Sequence, residues 1–131
     1  MSIKPPSDLP AIRINMMPKD TNAYGSIFGG VILSLIDLAA ANEAERQAPH
    51  RYLTVAMDQI AFHQPVRMGD IVTLWTETLH IGRTSIRVRV KVMARARRSP
   101  HETEVTTAEV TMVAVDEAGR PIPVLPEPVQ A

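Results

Sequence analysis

Residues 29 to 47 hold the feature that most limits the fold. Val31, Ile32, Leu33, Leu35, Ile36, Leu38, Ala39, Ala40 and Ala41 fall in nearly every direction around a helix axis. A helix that is apolar all round is a buried one. The pattern predicts a helix from about Gly29 to Gln47, stopped by Pro49. Its longest apolar run, Val31 to Ala41, is cut by Ser34 and Asp37. That run is too short for a membrane span, which needs about 20 residues. The polar residues Asn42, Glu43, Glu45 and Arg46 collect at the far end, which is expected to emerge into solvent.

After the helix the hydrophobic period changes to that of strands. Leu53 to Phe62 is rich in β formers and runs into His63-Gln64-Pro65. Ile71 to Ile81 alternates through Val72, Leu74, Thr76 and Thr78, then meets Gly82. From Ser85 to Arg97 the alternation is clearest. Ile86, Val88, Val90, Val92, Ala94 and Ala96 point one way, and Arg87, Arg89, Lys91, Met93, Arg95 and Arg97 the other. Glu104 to Val115 makes the last strand, and a short one is expected within 11–17, ended by Pro18. The class is α+β. Short connections predict that the four long strands form an antiparallel meander. One helix buried by a single sheet requires the sheet to curl around it. Sheet alone cannot cover such a helix, so a second subunit is expected.

Both ends of the chain differ from this body. Residues 1–10 carry Pro5, Pro6 and Pro10 with no apolar run, which reads as a flexible arm, disordered or loosely docked, and not a signal peptide. Pro121, Pro123, Pro126 and Pro128 fall within eight residues and predict a Pro-rich tail over 121–131. The folded domain is drawn as 11–120. With 131 residues, one domain is the natural reading.

Composition removes several functions. There is no cysteine, hence no disulfide framework, thiolate metal site or cysteine nucleophile. The 14 basic and 14 acidic side chains balance, against a chain built to coat nucleic acid. His50, His63, His80 and His101 are scattered without metal-ligand spacing, so no metal is expected. No G-x-S-x-G elbow, Walker loop or G-x-G-x-x-G occurs. No membrane association is expected, and a cytoplasmic location is.

Three features remain. Aspartate is a poor residue for a helix interior, yet Asp37 sits among Leu33, Leu35, Ile36 and Leu38. At 100° per residue it shares a stripe with Gly30, Ser34 and Ala41. Either the stripe touches water at a sheet edge, or Asp37 is a carboxylate held beside a cleft to act as base or nucleophile. The second feature is the Gly29-Gly30 helix start. Its N–H groups lack intrahelical partners and carry partial positive charge, and without side chains a carbonyl could approach them. The alternative is a tight loop or close packing. Asp37 lies roughly 10 Å along the axis from Gly30, too far to share one carbonyl within one chain. A two-fold pairing of helices would supply the two groups from different chains. The third is the run Arg83, Arg87, Arg89, Lys91, Arg95, Arg97 and Arg98, half of the chain's basic residues in a segment with no acid. Either Glu102, Glu104 and Glu109 neutralise it, or it receives phosphates.

The segment from Pro18 to Gly30 (PKDTNAYGSIFGG), followed by Leu35-Ile36-Asp37, resembles the signature of hotdog-fold acyl-CoA thioesterases. It is similar to the branch of bacterial short- to medium-chain acyl-CoA hydrolases and mammalian cytosolic acyl-CoA hydrolase. Phe62 to Asp70 (FHQPVRMGD) and Gly82-Arg83-Thr84-Ser85 match two further motifs of that family in order. The resemblance covers about residues 11–120. It implies a curled antiparallel sheet around one long central helix, dimers with a continuous ten-stranded sheet, and a hexamer built as a trimer of dimers. It implies hydrolysis of an acyl-CoA thioester to a free acid and coenzyme A, which is substrate and product, with no separate cofactor. The catalytic aspartate falls on Asp37, as general base or nucleophile. The oxyanion N–H falls on Gly30 or Gly29. The family carries asparagine or aspartate where this chain has Ser26, with Asn22 nearby. Coenzyme A is expected at Arg83, Thr84, Ser85 and Arg97 or Arg98. Leu33, Met57, Ile60 and Phe62 are expected to line the acyl pocket. Two other readings stand beside this one. They are a hotdog hydratase or dehydratase on enoyl thioesters, and a non-catalytic acyl-CoA-binding protein.

Overall fold

A computed structural model describes residues 3–126. Five strands form one antiparallel sheet: β1 (Ile12–Asn15), β2 (Arg51–Phe62), β3 (Ile71–Ile81), β4 (Ser85–Arg95) and β5 (Glu102–Val115). One helix, α1 (Gly29–Gln47), packs against it. A 3-10 turn, Pro18–Asp20, lies between β1 and the loop that leads into α1. Among the described residues no helix is long and apolar enough to cross a membrane.

The β4 alternation is what builds the core. Ile86, Val88, Val90 and Val92 are buried, with Val110, Met112 and Ala108 of β5 and Val72 and Leu74 of β3 beside them. β-branched side chains suit a pleated surface, and each buried valine contributes roughly 1.5–3 kcal/mol. Ile32, Ile36, Ala39, Ala40 and Ala44 of α1 close over this face. Three alanines on the sheet side let the helix approach closely.

The sheet order is β1-β3-β4-β5-β2, which corrects the four-strand meander. β3, β4 and β5 follow each other as expected, but β2 pairs with β5 at the far edge. The place beside β3 is taken by β1, with Ile12 opposite Leu74 and Asn15 opposite Ile71. Residues 63–70 can make the crossing. Three strand spacings are roughly 14 Å, well within the roughly 27 Å reach of eight residues.

One expectation about α1 holds, that the sheet alone cannot cover it, and one changes. The helix is not covered all round. The sheet does not close on it, and the side bearing Ser34, Leu38, Asn42 and Glu45 is exposed, Leu38 at 54%. The far end does not emerge on every side either: Glu43 and Gln47 are buried. Glu43 accepts hydrogen bonds from Thr78 Oγ1 (2.6 Å), Thr76 Oγ1 (3.3 Å), Gln47 Nε2 (3.1 Å) and Arg46 Nε (2.8 Å). Burial pushes its carboxyl up, but these hydrogen bonds outweigh burial and hold it below the usual carboxylate range.

Both terminal segments are tied down where they are described. Lys4 exchanges two hydrogen bonds with the Gln47 carboxamide, and Arg46 donates to the Pro5 carbonyl. Past residue 120, Ile122 N–H donates to the Ala114 carbonyl and Val124 N–H to the Arg83 carbonyl. Val124 is buried against Ala48 and Ala114, so packing continues beyond the drawn boundary. Proline forbids regular structure there, but not docking. Pro128 lies outside the described residues.

Candidate active site

α1 begins without the usual side-chain help. Its N-cap residue is Phe28, which makes no capping hydrogen bond. Replacing a good N-cap residue costs about 1 kcal/mol, and each interior glycine about 1 kcal/mol against alanine. The first hydrogen-bonded N–H is that of Val31, to the Phe28 carbonyl at 3.0 Å. The Gly29 and Gly30 N–H groups therefore stand ahead of the intrahelical ladder. Close packing within the chain does not explain the glycines. A Cβ on Gly30 would meet nothing within 4 Å, and one on Gly29 only Phe62 Cζ, at 3.8 Å.

This gives a discriminating prediction. Gly30→Ala should leave the fold intact and raise helix stability by up to about 1 kcal/mol. If a carbonyl must reach the helix start, the new methyl group should still cut turnover. Full activity in a stabilised variant would remove Gly30 from the site.

The loop before the helix is closed by Asn22. Its Oδ1 accepts the N–H groups of Tyr24 (2.8 Å) and Ser26 (3.2 Å), and its Nδ2 donates to Ser26 Oγ (3.0 Å). An amide nitrogen can only donate. Ser26 Oγ therefore accepts from Asn22, and its own proton is left to point elsewhere. Ser26 and Asn22 come together as expected, with Asn22 in the supporting position.

Asp37 is partly buried, on the open side of α1, facing β2. Thr54 Oγ1 donates to Asp37 Oδ1 at 2.5 Å. Sequence reasoning missed Thr54. Nothing in a strand pattern says which threonine will face a carboxylate 17 residues away. The stripe of Gly30, Ser34, Asp37 and Ala41 lies toward the β2 edge of the sheet at Asp37, with Gly30 and Ser34 exposed.

Asp37 and the glycines are separated by about two turns along α1. Thr54 marks one end of β2 and Phe62 the other. A hollow of about 310 Å³ opens at the helix start, with Ile27, Gly29, Ile32, Phe62, His63 and Val66 among its walls. Of the four residues expected around an acyl chain, it holds only Phe62. Leu33 and Met57 pack against the core instead, and Ile60 is 39% exposed on β2. A larger hollow, about 480 Å³, lies on the opposite face of the sheet beside Trp75 and Lys91. Size alone does not locate the chemistry.

The basic strand is only partly neutralised. Arg87 lies 2.8 Å from Glu109 and 3.1 Å from Asp58, and Arg89 lies 3.5 Å from Glu77. Only Glu109 was among the expected acids. Asp58 and Glu77 reach the ladder from β2 and β3, whose register fixes the pairing. Among the described residues Arg83, Lys91, Arg97 and Arg98 have no ion pair within 4 Å.

The residues expected to hold coenzyme A are not gathered in one place. Arg83, Thr84 and Ser85 form the β3–β4 hairpin end, where Gly82 N–H donates to the Ser85 carbonyl. Arg97 and Arg98 follow the other end of β4. The eleven residues of that strand separate the two groups by about 33 Å. Across the sheet, Thr54 pairs with Met112 and Met112 with Ile86. The hairpin therefore belongs to the Asp37 end. Phe62, Thr106 and Val92 align likewise, so Arg97 and Arg98 belong to the helix-start end. Among the described residues no three His, Asp or Glu side chains converge as metal ligands.

A single helix on an open antiparallel sheet, with a carboxylate and a bare helix start on its uncovered side, defines a hotdog protein of the thioesterase kind. The chain belongs to the Thioesterase superfamily, whose sequence model matches residues 24–101. It is 40% identical over 121 residues to an uncharacterized acyl-CoA thioester hydrolase of Zymomonas mobilis, covering 92% of this chain and 81% of that one. Against the acyl-CoA thioester hydrolase YciA of Escherichia coli it is 35% identical, covering 89% and 90%. Among solved structures, a hexameric hotdog fold thioesterase of Campylobacter jejuni superposes with a TM-score of 0.84 at 42% identity, over 89% of this chain and 90% of that one. A hexameric broad specificity acyl-coenzyme A thioesterase, solved with an aspartate replaced by alanine, gives 0.86 at 36%, over 92% and 89%.

Proposed function

We propose that this chain is an acyl-CoA thioesterase whose site is completed by a second copy. One observation carries the reading: Asp37, held by Thr54 at 2.5 Å, lies on the same uncovered helix face as an uncapped Gly29-Gly30 start. Relatives named for acyl-CoA hydrolysis support it. In the reaction, Asp37 takes a proton from water as the oxygen attacks the thioester carbonyl, or attacks that carbon itself. Charge developing on the carbonyl oxygen is met by the glycine N–H groups, with Ser26 O–H as a further donor. The C–S bond then breaks: where Asp37 acted as base, its proton passes to the leaving thiolate, and where it attacked, a mixed anhydride remains that water hydrolyses to the free acid and the restored carboxylate. A thioester is already activated, so this reading needs no metal or added cofactor.

The second copy follows from geometry. β2 is an edge strand with Leu53 and Val55 exposed at 50% and 58%. A two-fold pairing along it would set the Thr54 end of one chain against the Phe62 end of the other. Asp37 would then face the partner's Gly30. The same operation would let unpaired cations from both chains reach one coenzyme A. Hexameric neighbours support a trimer of such dimers. A cytoplasmic location belongs to the same proposal.

The test is release of free thiol from a panel of acyl-CoAs of increasing chain length, with sedimentation at micromolar concentration. Turnover by an oligomer is expected. A monomer that turns over would end the shared-site reading, and inactivity on every substrate would end the thioesterase reading. His63, in the wall of the helix-start hollow, favours one second reading, hydration of an enoyl thioester. Loss of enoyl-CoA absorbance without thiol release would reveal it.

A further inference from the structure

The mechanism above leaves one buried carboxylate near the site unused. Asp20 closes the 3-10 turn and is buried. Its Oδ2 accepts the Met17 N–H at 2.9 Å, and its Oδ1 lies 3.3 Å from Lys19 Nζ. Its backbone is engaged too. Asp20 N–H donates to the Met17 carbonyl at 2.9 Å, and the Asp20 carbonyl accepts the Phe28 N–H at 3.0 Å. Phe28 is the residue directly before Gly29 and Gly30.

One residue therefore joins both ends of the loop from 20 to 28. The carboxylate and N–H fix Asp20 on the turn, and the carbonyl fixes the residue that opens α1. Inside the loop, Thr21 bridges to Ile27, and Asn22 N–H donates to the Ser26 carbonyl at 2.7 Å. Outside it, Ile27 N–H donates to the Val66 carbonyl at 2.8 Å. The helix start has no side-chain cap, so the loop must hold its direction. An error of about 1 Å in a reacting group's position can cost on the order of a hundredfold in rate.

We infer that Asp20 is a positioning residue, whose carboxylate anchors the loop that aims the Gly29 and Gly30 N–H groups at the thioester carbonyl. The inference rests on the proposed thioesterase reading. Asp20 touches no substrate. It acts through Phe28, and its loss should be felt in the chemical step and not in coenzyme A binding. The Met17 N–H, above all, holds the Asp20 carboxyl below the usual carboxylate range, so the charged acceptor is present throughout the neutral range.

The test compares Asp20→Ala and Asp20→Asn with the native chain in kcat, KM and inhibition by free coenzyme A, which has no thioester carbonyl. Asn keeps an acceptor for Met17 but not its charge, and hydrogen bonds to charged acceptors are about twice as strong. The expected order of kcat is native, then Asn, then Ala. Ala should fall roughly ten- to a hundredfold and Asn a few-fold. KM and coenzyme A inhibition should stay within about twofold. If the Ala chain does not fold, the Asn chain decides, and native kcat in a folded Asn chain overturns the inference. Equal losses in kcat and in coenzyme A inhibition also overturn it, since they mean general damage. Inactivity of the native chain would count against the thioesterase reading, whereas active native enzyme with unaffected variants counts against Asp20 alone.

Discussion

Asp37→Ala is expected to lower kcat by about a hundred- to ten-thousandfold, the range that a positioned base contributes. Melting temperature and oligomeric state should change little. Asp37 is only partly buried and has one hydrogen-bond partner among the described residues, so its removal leaves only the Thr54 hydroxyl to find water. Asp37→Asn keeps the shape and an acceptor for Thr54 but cannot take a proton at neutral pH, and should fall as far. Thr54→Val should cost roughly tenfold, because it frees the carboxylate to turn. A single turnover in oxygen-18 water tests the nucleophilic role of Asp37, which label in the protein would establish. A general base puts the label into the first acid released, whereas water attacking the aspartyl carbon of a covalent intermediate puts it into the protein. An Asp37→Ala chain with native kcat would remove Asp37 from the chemistry.

The second large effect concerns stability. Glu43→Ala is expected to cost about 2–4 kcal/mol, because it strands the buried donors of Thr78 and Gln47 and the paired Arg46. For a chain of this size that lowers Tm by roughly 7–15 °C. The pH dependence has a definite sign. The folded-state pKa of Glu43 is lowered, so its charge stabilises the fold fully above the ordinary carboxylate range. That contribution is lost as pH falls through the lowered value. Glu43→Gln should therefore flatten the acid limb of stability against pH, measured by urea midpoints at matched protein concentration. An unchanged midpoint in Glu43→Ala would show that water replaces the carboxylate without cost.

Periodicity carried much of this fold. The α1 bounds match the predicted Gly29 to Gln47, because an apolar run with a proline stop leaves little choice. The β4 faces match from Ile86 to Arg95, because alternation is a local property, but the strand stops at Arg95 and leaves Ala96 exposed and Arg97 in a turn. Strand order is not local. β2 reads the same whether its neighbour is β3 or β5, and only the placement of β1 beside β3 decides. Glu43 escaped notice for a related reason. Its polarity suggested solvent, whereas its partners Thr76 and Thr78 come from β3, more than thirty residues on. Within the candidate site, Asp37 and the glycines stood out as violations of helix propensity. Thr54 and Asp20 obey local rules, so nothing in their own segments marked them. The split of Arg83, Thr84 and Ser85 from Arg97 and Arg98 follows from the predicted strand between them, whose length sets the two groups at opposite ends.

The bare β2 edge also shapes the chain's early life. Its twelve residues include a bulge between Asp58 and Ala61 and a left-handed Gln59, at φ 53°. A long flat strand with open N–H and C=O groups would recruit any other strand it met and seed aggregates. The bulge interrupts that invitation toward the Phe62 end, and a second register shift between Thr54 and Ala56 interrupts it again nearer the start. An edge so interrupted is expected to aggregate less than a regular strand of the same length.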